Sequence, residues 1–198
     1  MKSIEDTLKL INSIVNLLSK NDKVNIALIG GYGAIAHGVE RTTVDVDFCI
    51  YTDIIHEKDT GVFTGLLKNT LPDNFEIKLI EGSKIMDDPF KHDVIFIYDK
   101  SGEYPKVDFI VAKYKWELEG LKSAEPLEDI PFPVLPKPYL IAMKLKAGGP
   151  KDDYDVIELH ELLTDEEKEK TLKLAKLIHM DKKLAKLTKP RKIKKVRE

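Results

Sequence analysis

At 198 residues with 42% hydrophobic side chains, the chain is long enough to bury a core of its own, and a formal net charge of −2 gives it no global attraction for nucleic acid. Its longest apolar runs fall far short of the ~20 residues that a membrane span needs, and the start MKSIEDTLKL lacks the apolar centre of a signal peptide. The single cysteine, Cys49, excludes an intramolecular disulfide, so a cytoplasmic chain with no membrane partner is expected.

Ser3 stands as an N-cap before Ile4, Leu8, Ile11, Val15 and Leu18, whose spacing predicts a first helix to about Lys20. Asn21-Asp22 breaks it and leads into the apolar run Val24 to Ile29, a buried strand. Gly30-Gly31 ends that strand in a turn which glycine adopts without steric cost. Tyr32 to Gly38 is rich in small residues and long enough for about two helical turns. From Val44 to Phe48 the residues alternate strictly, the period of a half-buried strand, so Asp45 and Asp47 point the same way, and Cys49 reads as interior to the strand.

Asp53 to Leu71 reads as helical in its second part, Pro72-Asp73-Asn74 as a turn, and Phe75 to Ile80 as a third strand. A polar link with Asp87-Asp88-Pro89 precedes the apolar strand Val94 to Ile97 and the turn Asp99-Lys100-Ser101-Gly102. Lys106 to Val111 is a strand with one acid, Asp108, among hydrophobes, and Tyr114 to Leu121 a helix in which Tyr114 and Trp116 read as packing residues. Five prolines between 126 and 138 forbid a continuous helix and mark a boundary between lobes. Tyr139 to Ala147 reads as a helix stopped by Gly148-Gly149-Pro150, and Asp152 to Leu163 as the next. Thr164 and Glu167 form a capping box that opens a helix to about Ile178, with a last short helix from about Asp181. Strands dominate the first half and helices the second, which predicts α+β or mixed α/β in two layers. The expected division is a core over 1–125, a Pro-rich link over 126–138, a helical part over 139–187 and a basic tail over 188–198.

Two acids at i and i+2 on a strand are commonest as a solvated face. Asp45 and Asp47 are ~6.6 Å apart along a strand at ~3.3 Å per residue, so they can also converge on one divalent cation or share two. Such cations bridge triphosphate oxygens and neutralise charge in an in-line displacement. The Gly30-Gly31 turn lets backbone N–H groups approach a phosphate, helped by the positive end of the following helix. Asp108 is costly to bury alone, so it faces solvent or belongs to a site. Beside the Asp45/Asp47 strand it would complete a three-acid cluster, able to hold a second metal and to take the proton of an attacking hydroxyl; Asp99 is the next candidate for that place.

Arg41 and Thr43 read either as loop residues or as phosphate ligands, the guanidinium also as partner to an Asp. His37 caps or packs the short helix. Lys144 either snorkels from an apolar helix or binds a ligand, whereas Lys151, at a helix start where the dipole disfavours cations, points to an anion. Asp152 reads as an N-terminal helix acid and Asp155 as an exposed one.

Gly30-Gly31, His37-Gly38, Arg41, Thr43, Asp45 and Asp47 spell GG-x5-HG-x2-R-x-T-x-D-x-D. This resembles the signature of the minimal nucleotidyltransferases, including the AbiEii-type toxin group of the polymerase-β-like superfamily. Ala142-Met143-Lys144-Leu145 and Lys151-Asp152-Asp153-Tyr154-Asp155 are similar to the helical AMK and KDxxD elements of that group, so the resemblance covers roughly residues 24 to 160. It implies a twisted mixed sheet flanked by helices, with a helical carboxy-terminal part closing over the nucleotide. It further implies Mg²⁺ or Mn²⁺, two ions, on Asp45 and Asp47 with Asp108 as third carboxylate, and nucleotide contacts from Gly30, Gly31, Tyr32, Arg41, Thr43, Lys144, Lys151 and Asp152. Tyr32 stands where many relatives carry a Ser or Thr whose hydroxyl helps to hold a phosphate. The implied activity is transfer of a nucleoside monophosphate from an NTP to a hydroxyl, with release of pyrophosphate. A chain this small suits a single transfer to an RNA end such as that of tRNA, to a protein side chain or to a small molecule, and a toxin or antitoxin partner is implied. The competing reading is a fold relative that keeps the nucleotide pocket, or only a partner surface, without turnover. Between Lys182 and Arg197 stand nine basic residues and no acid, a solubilising tail or a grip on RNA phosphates.

Overall fold

Seven strands form one mixed sheet in the order β3-β4-β5-β2-β1-β7-β6. The computed structural model describes residues 2–20, 23–57, 59–82, 91–128 and 130–189. Along the chain these form α1 (Ile4–Leu18), β1 (Val24–Leu28), α2 (Gly30–Ala36), β2 (Val46–Thr52), α3 (Asp53–Glu57), α4 (Thr60–Thr70), β3 (Phe75–Ile80), β4 (Val94–Asp99) and β5 (Val107–Val111). There follow α5 (Lys115–Lys122), β6 (Glu125–Pro126), β7 (Pro133–Val134), α6 (Lys137–Ala147), α7 (Pro150–Glu161), α8 (Asp165–Leu177) and α9 (Asp181–Leu187). The architecture is mixed α/β with a helical carboxy-terminal part, as the strand and helix patterns predict. No helix among the described residues is long and apolar enough to cross a membrane.

Local chemistry sets the element ends. Ser3 Oγ accepts from the Asp6 N–H while Asp6 Oδ2 accepts from the Ser3 N–H, both at 3.0 Å, which starts α1 where the cap residue predicts. Thr164 and Glu167 repeat the device at α8. Gly148, at φ +76, closes α6 in the left-handed conformation that glycine tolerates.

Apolar residues on the two faces of the sheet build two cores, so helices cover both faces and the layers number three rather than two. Val46, Phe48 and Ile50 of β2 and Val107, Phe109 and Val111 of β5 pack with Leu8, Ile11 and Val15 of α1 and Phe63 and Leu67 of α4. Phe48 meets Phe109 and Phe132 edge-on at 5.6 and 4.7 Å between ring centroids. The opposite face, from Ala27, Ile29 and Cys49, packs on Trp116 of α5, Leu140, Ile141 and Met143 of α6, and Val156 and Leu159 of α7. Asp47 and Asp108 belong to this second face, because they alternate with the residues that face α1 and α4.

Five local expectations change. The second strand begins at Val46, not Val44, since the first ladder bond runs from the Val46 N–H to the Lys106 carbonyl and Val44 is 76% exposed. The glycine pair is the first turn of α2 rather than a turn before it, and residues 53–57 are already helical. Helix α7 starts at Pro150, where a proline at the first helical position loses no hydrogen bond. The Pro-rich passage joins the sheet: Val134 pairs in parallel with Leu28 of β1, and β6 pairs antiparallel with β7. Asp87-Asp88-Pro89 and residues 190–198 of the expected basic tail lie outside the described residues.

Candidate functional site

Between the second face of the sheet and helices α6 and α7 lies a cavity of about 560 Å³. Gly30 and Gly31 from the start of α2, Arg41, Thr43 and Asp45 from the loop after it, and Asp47 from β2 form one wall. Lys144 of α6 and Lys151 and Asp152 of α7 form the other. Val94 and Ile110, which face each other across β4 and β5, extend it as an apolar floor with Leu140 and Met143. Ile110 is two residues beyond Asp108, so this floor starts ~6.6 Å along the strand from the row of acids.

The parallel register of β2 and β5 places Asp47 directly opposite Asp108. Burial pushes the Asp47 carboxyl up, and the neighbouring Asp45 charge adds to the shift; Lys144, the Gly31 N–H and Lys106 pull against it. The Asp47 carboxylate lies so close over Gly30 that a Cβ there would collide with it, and Gly30 has φ +63. A Cβ on Gly31 would come within 2.9 Å of Thr43 Oγ1 and 3.1 Å of Arg41 Nη2. The glycine pair is therefore the space in which the acid wall and the loop meet.

Asp108 stands beside this wall and does not line the cavity. Its Oδ2 accepts from Lys106 Nζ at 2.8 Å, and its Oδ1 is buried without a hydrogen-bond partner. Burial pushes its carboxyl up to about 6; Lys106 opposes that, and Asp47 and Asp45 add to it. Asp99 plays a different part. It accepts from the Ser101, Glu103 and Tyr104 N–H groups and from Asn74, which shape the turn after β4 and hold its carboxyl low against burial.

Asp155, expected on an exposed helix face, is fully buried. Arg41 Nη1 and Lys144 Nζ both reach its Oδ2 at 2.5 Å, and Lys144 also lies 3.4 Å from Asp152 Oδ1. Lys144 thus does not snorkel; its side chain is 6% exposed and ends in an ion pair. Asp152 Oδ2 caps α7 by accepting from the Gly149 N–H at 3.1 Å. Lys151 is exposed on the wall and pairs with no acid among the described residues.

Tyr32 does not line the cavity; it packs against the core of the opposite face, because its position in α2 points away from the acids. His37 is structural, its Nε2–H donating to the Leu135 carbonyl at 2.8 Å while burial holds its pKa down. Trp116 is buried in the core. The sequence pattern gives no hint of His92, which lines the cavity and contacts Glu117 Oε1 through Nε2 at 2.9 Å, or of Glu117, whose Oε2 accepts from the Lys113 and Tyr114 N–H groups. Neither carries a local signal, since the two meet only through the fold.

The donor set suits a hard divalent cation at Asp45 and Asp47. They are two carboxylates on one cavity wall, and Mg²⁺ is commonly held by one or two carboxylates plus substrate phosphates. Asp108 joins them across the strand pair from Asp47, and among the described residues no group of three or more His, Cys, Asp or Glu side chains is already arranged as a metal site.

No protein-family model matches the chain, and no curated protein does. Among solved structures it is similar to an antigenic nucleotidyltransferase-like protein from Paracoccidioides brasiliensis, at 21% identity over 92% of each chain with a TM-score of 0.47. It is also similar to the antibiotic-resistance factor ANT(2'')-Ia, at 12% identity over 92% of this chain and 89% of that one, with a TM-score of 0.44.

Proposed function

We propose that this chain is a metal-dependent nucleotidyltransferase that moves a nucleoside monophosphate from an NTP to a hydroxyl acceptor. The observation that carries the reading is the shared cavity, in which Asp45 and Asp47 stand with Arg41, Lys144 and Lys151 around a space of about 560 Å³. A triphosphate needs both signs at once: carboxylates for the cation that accompanies it, and side-chain cations for its remaining charge. The apolar floor of Val94, Ile110, Leu140 and Met143 offers a place for the base.

In this reading Asp45 and Asp47 would hold Mg²⁺ or Mn²⁺, and the ion would supply Lewis-acid stabilisation of the negative charge on the phosphates. The acceptor oxygen bonds to the α-phosphorus, the bond to the bridging oxygen breaks, and pyrophosphate leaves with that electron pair. Asp108, beside the wall, receives the proton of the acceptor hydroxyl; its raised pKa suits a base that works near neutrality. Gly30 and Gly31 keep the wall free of Cβ atoms, Arg41, Thr43 and Lys151 bind phosphate, and Lys144 and Asp152 fix the helical wall. The acceptor is an RNA end, a protein side chain or a small molecule, and a toxin–antitoxin role rests on the sequence resemblance alone.

The test is a thermal-shift series with each NTP. The melting temperature should rise much more with NTP and Mg²⁺ than with NTP and EDTA, and Asp45→Asn and Asp47→Asn should erase the difference. A shift indifferent to metal, or unchanged in both variants, would remove the site as drawn. Incubation with labelled NTP, Mg²⁺ and cell lysate then shows whether label lands on RNA, protein or a small molecule.

A further inference from the structure

Lys106 is the cation closest to Asp108, and three constraints fix where its charge lies. Its carbonyl accepts the Val46 N–H at 3.0 Å, which places it one residue before the Val46–Val107 pair, across from Asp45, and two residues before Asp108 on the same face. Its Nζ lies 4.5 Å above the Phe96 ring centroid and 5.9 Å from that of Tyr98, two aromatic residues of β4. The same Nζ is 2.8 Å from Asp108 Oδ2, and its charge acts on Asp45 and Asp47 as well.

We propose that Lys106 is a built-in cation of the acidic site: its ammonium stands at Asp108 in place of a second divalent ion, so that Asp45 and Asp47 take one divalent cation per bound nucleotide. The inference rests on the nucleotidyltransferase reading and specifies its metal requirement. Charge supports it, because one ammonium and one divalent cation together balance the three carboxylates of Asp45, Asp47 and Asp108. Geometry supports it too. With Lys106 Nζ on Oδ2, a second ion could reach Asp108 only through Oδ1, where the neighbouring ammonium would repel it, and Mg²⁺ tolerates little departure from its octahedral shell of oxygens.

The experiment counts ions. Protein is dialysed to equilibrium against Mn²⁺ and a non-hydrolysable NTP analogue, and bound Mn²⁺ per bound analogue is read by electron paramagnetic resonance of the free ion. The wild-type protein should bind one Mn²⁺ per analogue. Lys106→Met, which keeps the stem on Phe96 and removes the charge, should bind two, and Lys106→Arg should stay at one. Lys106→Gln serves as a second neutral variant, with melting curves confirming that each variant folds. Two ions in the wild-type protein, or one in folded Lys106→Met and Lys106→Gln, overturns the role of Lys106 and leaves the nucleotidyltransferase reading in place. Analogue binding that does not need Mn²⁺ at all overturns that reading, and the role of Lys106 with it.

Discussion

Arg41 Nη1 meets Asp155 Oδ2 at 2.5 Å across 114 residues of chain, and Lys144 reaches the same oxygen at the same distance. One fully buried carboxylate thereby anchors two cations of the cavity wall and ties the loop that carries Thr43 and Asp45 to helices α6 and α7. Removing one member of such a cluster leaves the others buried without compensation. Asp155→Ala should therefore cost about 3–5 kcal/mol of stability. Asp155→Asn keeps the shape and loses the charge. It should melt lower than wild type and bind NTP with Mg²⁺ about tenfold more weakly, or about 1.4 kcal/mol. Calorimetric titration beside a melting curve separates the two effects, and a destabilised Asp155→Asn with undiminished NTP affinity would make the carboxylate a fold element only.

Asp108 should destabilise the folded chain at neutral pH. Its carboxyl is pushed up to about 6 from an ordinary value of 3.8, so the folded protein binds more protons than the unfolded chain between these values. The favourable contribution is complete below the lower pH and is lost as pH rises through the upper one. Without metal or nucleotide, Asp108→Asn should gain stability relative to wild type as pH rises from about 4 to about 8, by about 1 kcal/mol once screening at the edge of the site is allowed for. Chemical denaturation in EDTA at several pH values measures this. A difference between the two proteins that does not change with pH would mean that Asp108 is not held in its neutral form.

The residues from Gly30 to Asp47 were legible because their signal is local: a glycine pair, alternating acids and fixed spacings all lie within one stretch of chain. What they touch was not. The partner of Arg41 lies on a helix far along the sequence, and Asp155 resembles any exposed acid because no pattern in α7 announces that its face is roofed by α6. Lys106 is closer to legible. Period-two alternation puts Lys106 and Asp108 on one face, yet nothing in that spacing separates an ion pair from two solvated charges. The strands β6 and β7 leave no trace in the sequence, since two-residue strands bounded by prolines carry no periodicity and owe their pairing to the exposed edge of β1. The start of β2 moved for a related reason: alternation continues to Val44, but the partner strand β5 does not extend far enough to pair with it.

Two glycines in helices should respond in opposite directions to alanine. Gly30 begins α2 at φ +63 with the Asp47 carboxylate where a Cβ would go, so Gly30→Ala must distort the backbone and push the acid aside. The backbone alone should cost about 1–2 kcal/mol, and the Mg²⁺-dependent NTP shift should vanish. Gly65, in the interior of α4, has nothing within 4 Å of its would-be Cβ. Gly65→Ala should stabilise by roughly 0.5–1 kcal/mol, a rise in melting temperature of about 1–4 °C, with NTP binding unchanged. Melting curves with and without Mg-NTP read both outcomes, and a Gly30→Ala protein with the wild-type shift would show that Asp47 can leave its place over the glycine without loss.

Lys151 isolates the electrostatic share of nucleotide binding. It lies in the first turn of α7, where the helix dipole disfavours a cation, it is exposed, and it pairs with no acid among the described residues. A lysine so placed gains little from the folded chain itself. Lys151→Ala should therefore leave stability unchanged or raise it by about 0.3–0.5 kcal/mol, while NTP affinity falls about three- to tenfold at low ionic strength. Because the side chain stands in water, salt should screen its contribution, and at about 1 M, where the Debye length is only about 3 Å, wild type and variant should bind nearly alike. Asp155→Asn makes the contrast, since the Arg41 and Lys144 heads that it unsettles lie in a buried cluster and its deficit should persist at high salt. Titrations of both variants at low and high ionic strength give the comparison. A Lys151→Ala deficit that survives high salt would make its phosphate contact a desolvated one rather than one made in water.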